Sequence, residues 1–367
     1  MIERAPESDR AWFVRFARFL AGSSRADVRE DAPELQRRIE ELLLGGPRRY
    51  SRNELTQITG MDRDVATRLW RSLGFAEVGD DEVVFTDGDL EALQRLHRLR
   101  AAGLIPSELE NAVTRSVGAV MASLADWQIE MVYQLLDIGH TQVDEEQLLD
   151  IIGRITELER DMQAMIWRRH LAAAATRWLT MLPEDSDTRT LVIGFADVVG
   201  FKRAIRKLDA DQLATLIEDF QGLVAEVVVN GRGRVIKTVG DEVMFVADDP
   251  SDSAEIALTV LERVARSTTL SELRIGLAAG PVVTRFGDVY GEPVNIAARL
   301  TSHGRPGRIL VDRNLAAALE NDERFQVRLR RPLHVRGYRH LYSWGLTRAR
   351  RRSAPEPAAS TDVHDPA

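Results

Sequence analysis

The spacing of hydrophobic positions along this chain changes near its middle. From Asp9 to about Thr180, apolar residues recur every three or four positions, as on amphipathic helices. Trp12, Phe13, Phe16, Phe19 and Leu20 fall on one helix face. Ser51 reads as an N-cap with Glu54 three residues on, which predicts a short helix. Gly60-Met61-Asp62 reads as a turn, Arg63 to Leu73 as a second helix ended by Gly74, and Val83-Val84-Phe85 as a small strand or wing. Longer helices are predicted from Pro106 to about Ile138 and from about Glu145 to Leu179. In the last, Leu148, Ile151, Ile152, Ile155, Leu158, Met162, Met165 and Ile166 form a sustained stripe. Core packing accounts for such a stripe, and its length also suits a partner chain.

Residues 181–187, Met-Leu-Pro-Glu-Asp-Ser-Asp, break the helical pattern and read as a linker. Beyond them the pattern alternates. Strands are predicted near 189–196, 232–238, 242–247, 272–279, 281–285 and 307–311, with weaker ones near 325–330 and 340–345. Helices are predicted near 209–229, 252–267, 293–302 and 312–319. Hairpins mixed with helices predict an α+β domain over 188–346 rather than a doubly wound sheet. The domain over 1–180 is predicted to be all-α. Residues 347–367 open on an arginine run and read as a disordered tail, the arginines solvated and incidental.

Composition narrows the function. The 367 residues carry a net charge of −8, which argues against broad electrostatic binding to nucleic acid. Helix, turn, helix and wing over 51–86 outline a DNA-binding module. However, Asp62, Asp64, Glu77, Asp80, Asp81 and Glu82 surround Arg63, Arg68 and Arg71, which favours a helical regulatory domain. The chain has no cysteine, so disulfides, thiolate metal sites and cysteine nucleophiles are excluded. No apolar run is long enough to span a bilayer and the N-terminus has no signal-peptide pattern, so the expected location is the cytoplasm. His170, beside Arg168 and Arg169 and near a domain junction, is a candidate pH sensor.

Two stretches carry candidate chemistry. In Arg232–Val246, β-rich runs flank Lys237-Thr238-Val239-Gly240-Asp241-Glu242, which predicts a hairpin with Asp241 at its tip. About forty residues earlier, a buried strand ends in Phe195-Ala196-Asp197. Two carboxylates at neighbouring strand ends can hold a pair of hard cations, an arrangement suited to phosphate chemistry.

The blocks FADVVGF (195–201), IKTVGDEVMF (236–245) and DVYGEPVNIAARL (288–300) resemble the class III nucleotide cyclases. The resemblance covers about Thr188 to Trp344 and implies a ferredoxin-like α/β sandwich that converts ATP to cyclic AMP and pyrophosphate. It implies that Asp197, Asp241 and the Val198 carbonyl hold two Mg²⁺ or Mn²⁺ ions per active site. Lys237 and Asp288 match the base-reading positions and have the adenine-type identity. Asn295 and Arg299, four apart on one helix, match the transition-state pair. Arg336 stands where the family commonly has a lysine for the terminal phosphates. For a second phosphate-binding arginine these blocks offer no matching position, and the candidate is Arg285. The resemblance further implies a homodimer whose two sites each draw metals from one chain and base contacts from the other. The helical N-terminal half is similar in layout to that of soluble actinobacterial adenylyl cyclases, in which that half inhibits catalysis in a pH-dependent way. The competing reading is a nucleotide-responsive DNA-binding regulator with a degenerate cyclase domain. A guanylyl cyclase is weakened by Lys237 and Asp288.

Overall fold

The structure, a computed structural model, describes residues 28–104, 107–138, 144–180, 189–201, 205–267, 270, 272–335 and 338–349. The chain divides into two compact units between Leu182 and Pro183. The helix expected near 9–20, the linker and the tail from 350 onward lie outside the described residues.

The first unit is helical: α1 Val28–Leu44, α2 Arg52–Thr59, α3 Arg63–Ser72, α4 Asp87–Ala101, α5 Ser107–Ile138 and α6 Glu145–Thr180. Ser51 caps α2 in a capping box with Glu54, and Gly60 ends it in a left-handed conformation. The expected wing is reduced to one antiparallel bridge between Tyr50 and Phe85. Arg63 is paired with Asp80, and Arg71 with Glu77. Those two arginines of the helix–turn–helix are therefore already neutralised within the unit. The stripe on α6 divides in two. Leu148, Ile151, Ile152 and Ile155 pack with Leu35, Ile39 and Val132. Leu158, Met162, Met165 and Ile166 are exposed.

The second unit runs β1 Arg189–Val198, α7 Ala210–Asn230, β2 Arg234–Val239, β3 Glu242–Ala247, α8 Pro250–Arg266 and β4 Leu273–Arg285. It continues with β5 Asp288–Tyr290, α9 Glu292–His303, β6 Arg308–Val311, α10 Arg313–Ala318, β7 Phe325–Leu329, β8 Leu333–Val335, β9 Tyr338–Leu341 and β10 Trp344–Arg348. The main sheet has the order β2-β3-β1-β4-β6-β10-β7, with β5 on β4. Its first half, β1-α7-β2-β3-α8-β4, is ferredoxin-like.

Period-2 alternation builds two cores on this sheet. Val192, Ala196 and Val198 of β1 face α7 and α8, with Phe220, Val224 and Ile256. Leu191, Ile193 and Phe195 face the other way, with Ala297 of α9. Helix α9 lies very close to the sheet because position 276 is glycine. A Cβ there would stand 2.5 Å from both the Ala297 oxygen and the Thr301 nitrogen.

Three expectations are corrected. The strands expected at 272–279 and 281–285 are one strand, β4, because Pro281 falls beyond the end of β6, where it interrupts no ladder on that side. The strand expected at 340–345 straddles two: β9 pairs with β8 in a separate hairpin, and β10 joins the main sheet. Thr347 and Arg348 belong to β10 rather than to the tail, and Arg348 is ion-paired with Glu255 and Glu262.

Gly276→Ala is expected to destabilise the full-length protein by about 1–3 kcal/mol by pushing α9 off the sheet. Urea unfolding measures it, and a neutral substitution would show that the close approach is not required.

Candidate active site

The sheet edge bearing Asp197 is built by register. In antiparallel pairing, Asp197 of β1 stands opposite Glu242 of β3 on one side and Arg274 of β4 on the other. Parity places all three on the α9 face. The Val198 N–H donates to the Asp241 carbonyl at 3.1 Å, which ties the end of β1 to the β2–β3 turn. That turn is Gly240-Asp241, as expected. Gly240 has φ +60°, the conformation a two-residue turn with glycine first requires. Its carbonyl accepts from the Gln221 side chain of α7 at 3.2 Å. Asp197, Val198 and Asp241 are thereby brought to one end of the sheet.

The carboxylates there have contrasting surroundings. Asp197 is mostly buried and accepts from Arg274 Nε at 2.5 Å. Burial, with the charges of Asp197 and Asp241, pushes the Glu242 carboxyl above its ordinary value, and Arg274 partly offsets this. Among the described residues no group of three or more acids or histidines could hold a metal ion by itself. Two aspartates, Asp197 at the end of β1 and Asp241 in the β2–β3 turn, are both partly exposed and are hard oxygen donors of the kind that hold Mg²⁺ or Mn²⁺ at a phosphate site, where substrate oxygens complete the shell.

Lys237 reaches its position through a bulge. The register shifts between Val235 and Lys237, so that Val235 faces Phe245 and Lys237 faces Met244. In a regular strand of the same sequence Lys237 would stand opposite Val243, on the α7–α8 face. The bulge turns it onto the α9 face. There its ammonium donates to Asp288 Oδ2 at 2.6 Å. Asp288 opens β5 and also accepts from the Val289 amide at 2.8 Å. Burial alone would raise the Asp288 carboxyl; Lys237 and that amide outweigh it and hold the group below its ordinary value.

Asn295 and Arg299 lie one turn apart on α9 with exposed side chains. Arg285 ends β4, its guanidinium 5.2 Å from the centre of the Phe286 ring. Arg336 lies outside the described residues. The structure thus groups Asp197, Val198 and Asp241, and separately pairs Lys237 with Asp288. Arg274, Glu242 and Gln221 were missed in the sequence. An arginine inside the otherwise apolar run Leu273–Ala279 was the available signal for Arg274.

A family model described as the adenylate and guanylate cyclase catalytic domain matches residues 184–348. An adenylate cyclase of Streptomyces coelicolor is 39% identical over 299 residues, covering 80% of this chain and 77% of that protein. An adenylate cyclase of Streptomyces griseus is 38% identical over 287 residues, covering 77% and 71%. A Mycobacterium tuberculosis protein named pH-sensitive adenylate cyclase is 27% identical over 332 residues, covering 87% and 83%.

The Asp288 carboxyl titrates below its unfolded value. The Lys237–Asp288 pair therefore adds stability above the ordinary aspartate range, and loses it as pH falls through the lowered folded value. Lys237→Met is expected to raise the Asp288 pKa, as read by carboxyl NMR. An unmoved titration would break the assignment of the shift to Lys237.

Proposed function

This chain belongs to the class III adenylate and guanylate cyclase family, as an adenylate cyclase, and we propose that it forms cyclic AMP from ATP at sites shared between two copies of the chain. The observation that carries the reading is the division of the site: metal-type carboxylates at one sheet end, and a separate lysine–aspartate pair of adenine-reading type. Adenine accepts at N1 and donates at N6, which Lys237 and Asp288 match. Guanine presents the reverse pattern, and unmatched groups in a closed site are costly.

In this reading Asp197, Asp241 and the Val198 carbonyl would hold two Mg²⁺ or Mn²⁺ ions. Bound there, the metals acidify the ribose 3′-hydroxyl and neutralise charge on the departing pyrophosphate. Lys237 and Asp288 fix the base. Asn295 orients the ribose, and Arg299 stabilises the charge growing on the α-phosphate during in-line attack. Arg336 would hold the terminal phosphates.

Exposed apolar side chains support a second copy: Val239 at the end of β2, and Val283, Phe286 and Tyr290 on the β4–β5 hairpin. The N-terminal unit is proposed to regulate turnover, with pH as the signal, a reading supported by the pH-sensitive relative. The ion-paired Arg63 and Arg71 count against the DNA-binding alternative.

With ATP and Mn²⁺ the protein is expected to yield cyclic AMP, with GTP much the poorer substrate. Asp197→Ala and Lys237→Ala are each expected to lower kcat by on the order of 100-fold or more. Mixing the two variants is expected to restore part of the activity, because one mixed site keeps both sets. No recovery on mixing would refute shared sites. Removing residues 1–185 is expected to change the rate and its pH profile; an unchanged profile would refute regulation by the first unit.

A further inference from the structure

Strands β8 and β9 form a hairpin of three and four residues that lies off the main sheet. Its inner face is apolar: Leu333, Val335 and Leu341 pack with Ile296 and Leu300 of α9. Leu333 and Leu341 are direct partners across the pair. The next residue towards the turn is His334 on one strand and His340 on the other. Alternation puts both on the outer face, and both are exposed. Their ring centroids stand 5.3 Å apart, with 67° between the ring planes.

We propose that His334 and His340 form a two-histidine site for a cation of the Zn²⁺ class, which clips β8 to β9. The ring spacing suits this. A tetrahedral Zn²⁺ about 2.0–2.1 Å from one nitrogen of each imidazole places the two centroids about 5 Å apart. The remaining positions are open to water or to a ligand from solution. Edge-to-face ring packing has the same spacing. It rewards rings that exclude water, however, and both of these are exposed. A two-stranded hairpin is also marginal by itself, so an ion bonded to both strands has something to stabilise.

Donor chemistry separates this site from the aspartates. Imidazole nitrogen suits Zn²⁺, Ni²⁺ and Cu²⁺, whereas carboxylate oxygen suits Mg²⁺ and Mn²⁺. The chain has no cysteine, so no thiolate competes for such an ion. Arg330 and Arg331, both exposed, precede β8 and oppose any cation by charge. The affinity therefore comes from two coordinate bonds made together and not from the local field. The second bond closes within one hairpin, so losing either ring costs nearly as much as losing both. Two independent surface histidines would instead lose binding additively. Residues 336 and 337 join the clipped strands. On the reading of Arg336 as a phosphate-binding residue, the ion also bears on the triphosphate; Zn²⁺ binding itself is independent of that reading.

The test titrates Zn²⁺ into the full-length protein without nucleotide, by calorimetry, with excess Mg²⁺ present for the oxygen donors. One Zn²⁺ per chain is expected at this site. His334→Gln and His340→Gln are each expected to weaken it by on the order of 100-fold. The double variant is expected to be little worse than either single one. Zn²⁺ binding that persists in both single variants, or losses that simply add, would overturn the proposal. So would the absence of any Zn²⁺ binding, which would leave the two rings as a packed pair. Thermal unfolding without metal reports whether each variant is folded.

A second measurement needs no variant. Zn²⁺ is expected to slow amide hydrogen exchange across residues 333–341 of the unmodified protein, and Mg²⁺ at the same concentration is not. Exchange there that ignores Zn²⁺, or that slows equally with Mg²⁺, would overturn the clip.

Discussion

The second unit depends on a single strand that must satisfy two cores at once. Strand β1 lies in the middle of the sheet, with helices over both faces, so residues 191–196 are all buried. No ionisable side chain is tolerated along that run without a large desolvation cost. The first carboxylate comes at Asp197, where the helical cover ends. Even there the group is not free. It sits between Glu242 and Arg274, and the ion pair offsets the cost of holding two acids side by side. Asp197 therefore follows the fully buried run on the α9 face, and its carboxylate is ion-paired with Arg274 there.

A second constraint is parity. Each strand alternates between the α7–α8 face and the α9 face, so a shift of one residue moves a side chain to the opposite side. The bulge before Lys237 uses this rule. It leaves Val235 in the larger core, packs Ile236 against the smaller one and still turns Lys237 onto the face that carries Asp288. A regular strand with the same sequence would have put the lysine on the other side. The edge position of β2 makes the irregularity affordable, since only β3 has to accommodate it.

These two constraints explain what could be read in the sequence. The hairpin around Gly240-Asp241 was legible because a glycine at the turn and β-branched flanks are local signals. Helices α7, α8 and α9 were legible from their period, while the Pro250 that opens α8 was not read as its start. Arg274 was not, because its partners lie on β1 and at the end of α9, 77 and 28 residues away in the chain. The bulge at Ile236 was equally hidden, since it is defined by pairing with β3 and by nothing in the segment itself. The short strands β5 and β8 were missed, and β9 was merged with β10, because three or four residues carry too little alternation to register. Pro281 misled for the converse reason: its local signal as a breaker was strong, and it is tolerated because β6 ends before it, although β1 still pairs alongside.

The preformed Lys237–Asp288 pair bears on how a purine would be chosen. Lys237 is nearly half exposed, so the pair contributes little to stability, on the order of 1 kcal/mol or less. Exchanging it for two hydrogen bonds to adenine therefore costs little, and each group keeps a partner of the right polarity. Guanine would break the same pair and leave the ammonium facing a donor and the carboxylate facing an acceptor. Leaving such groups unsatisfied in a closed site costs roughly 1–3 kcal/mol each, more for charged groups. Selectivity on this reading comes mainly from the penalty against the wrong base, and the ion pair keeps both groups aimed at one spot before any nucleotide arrives.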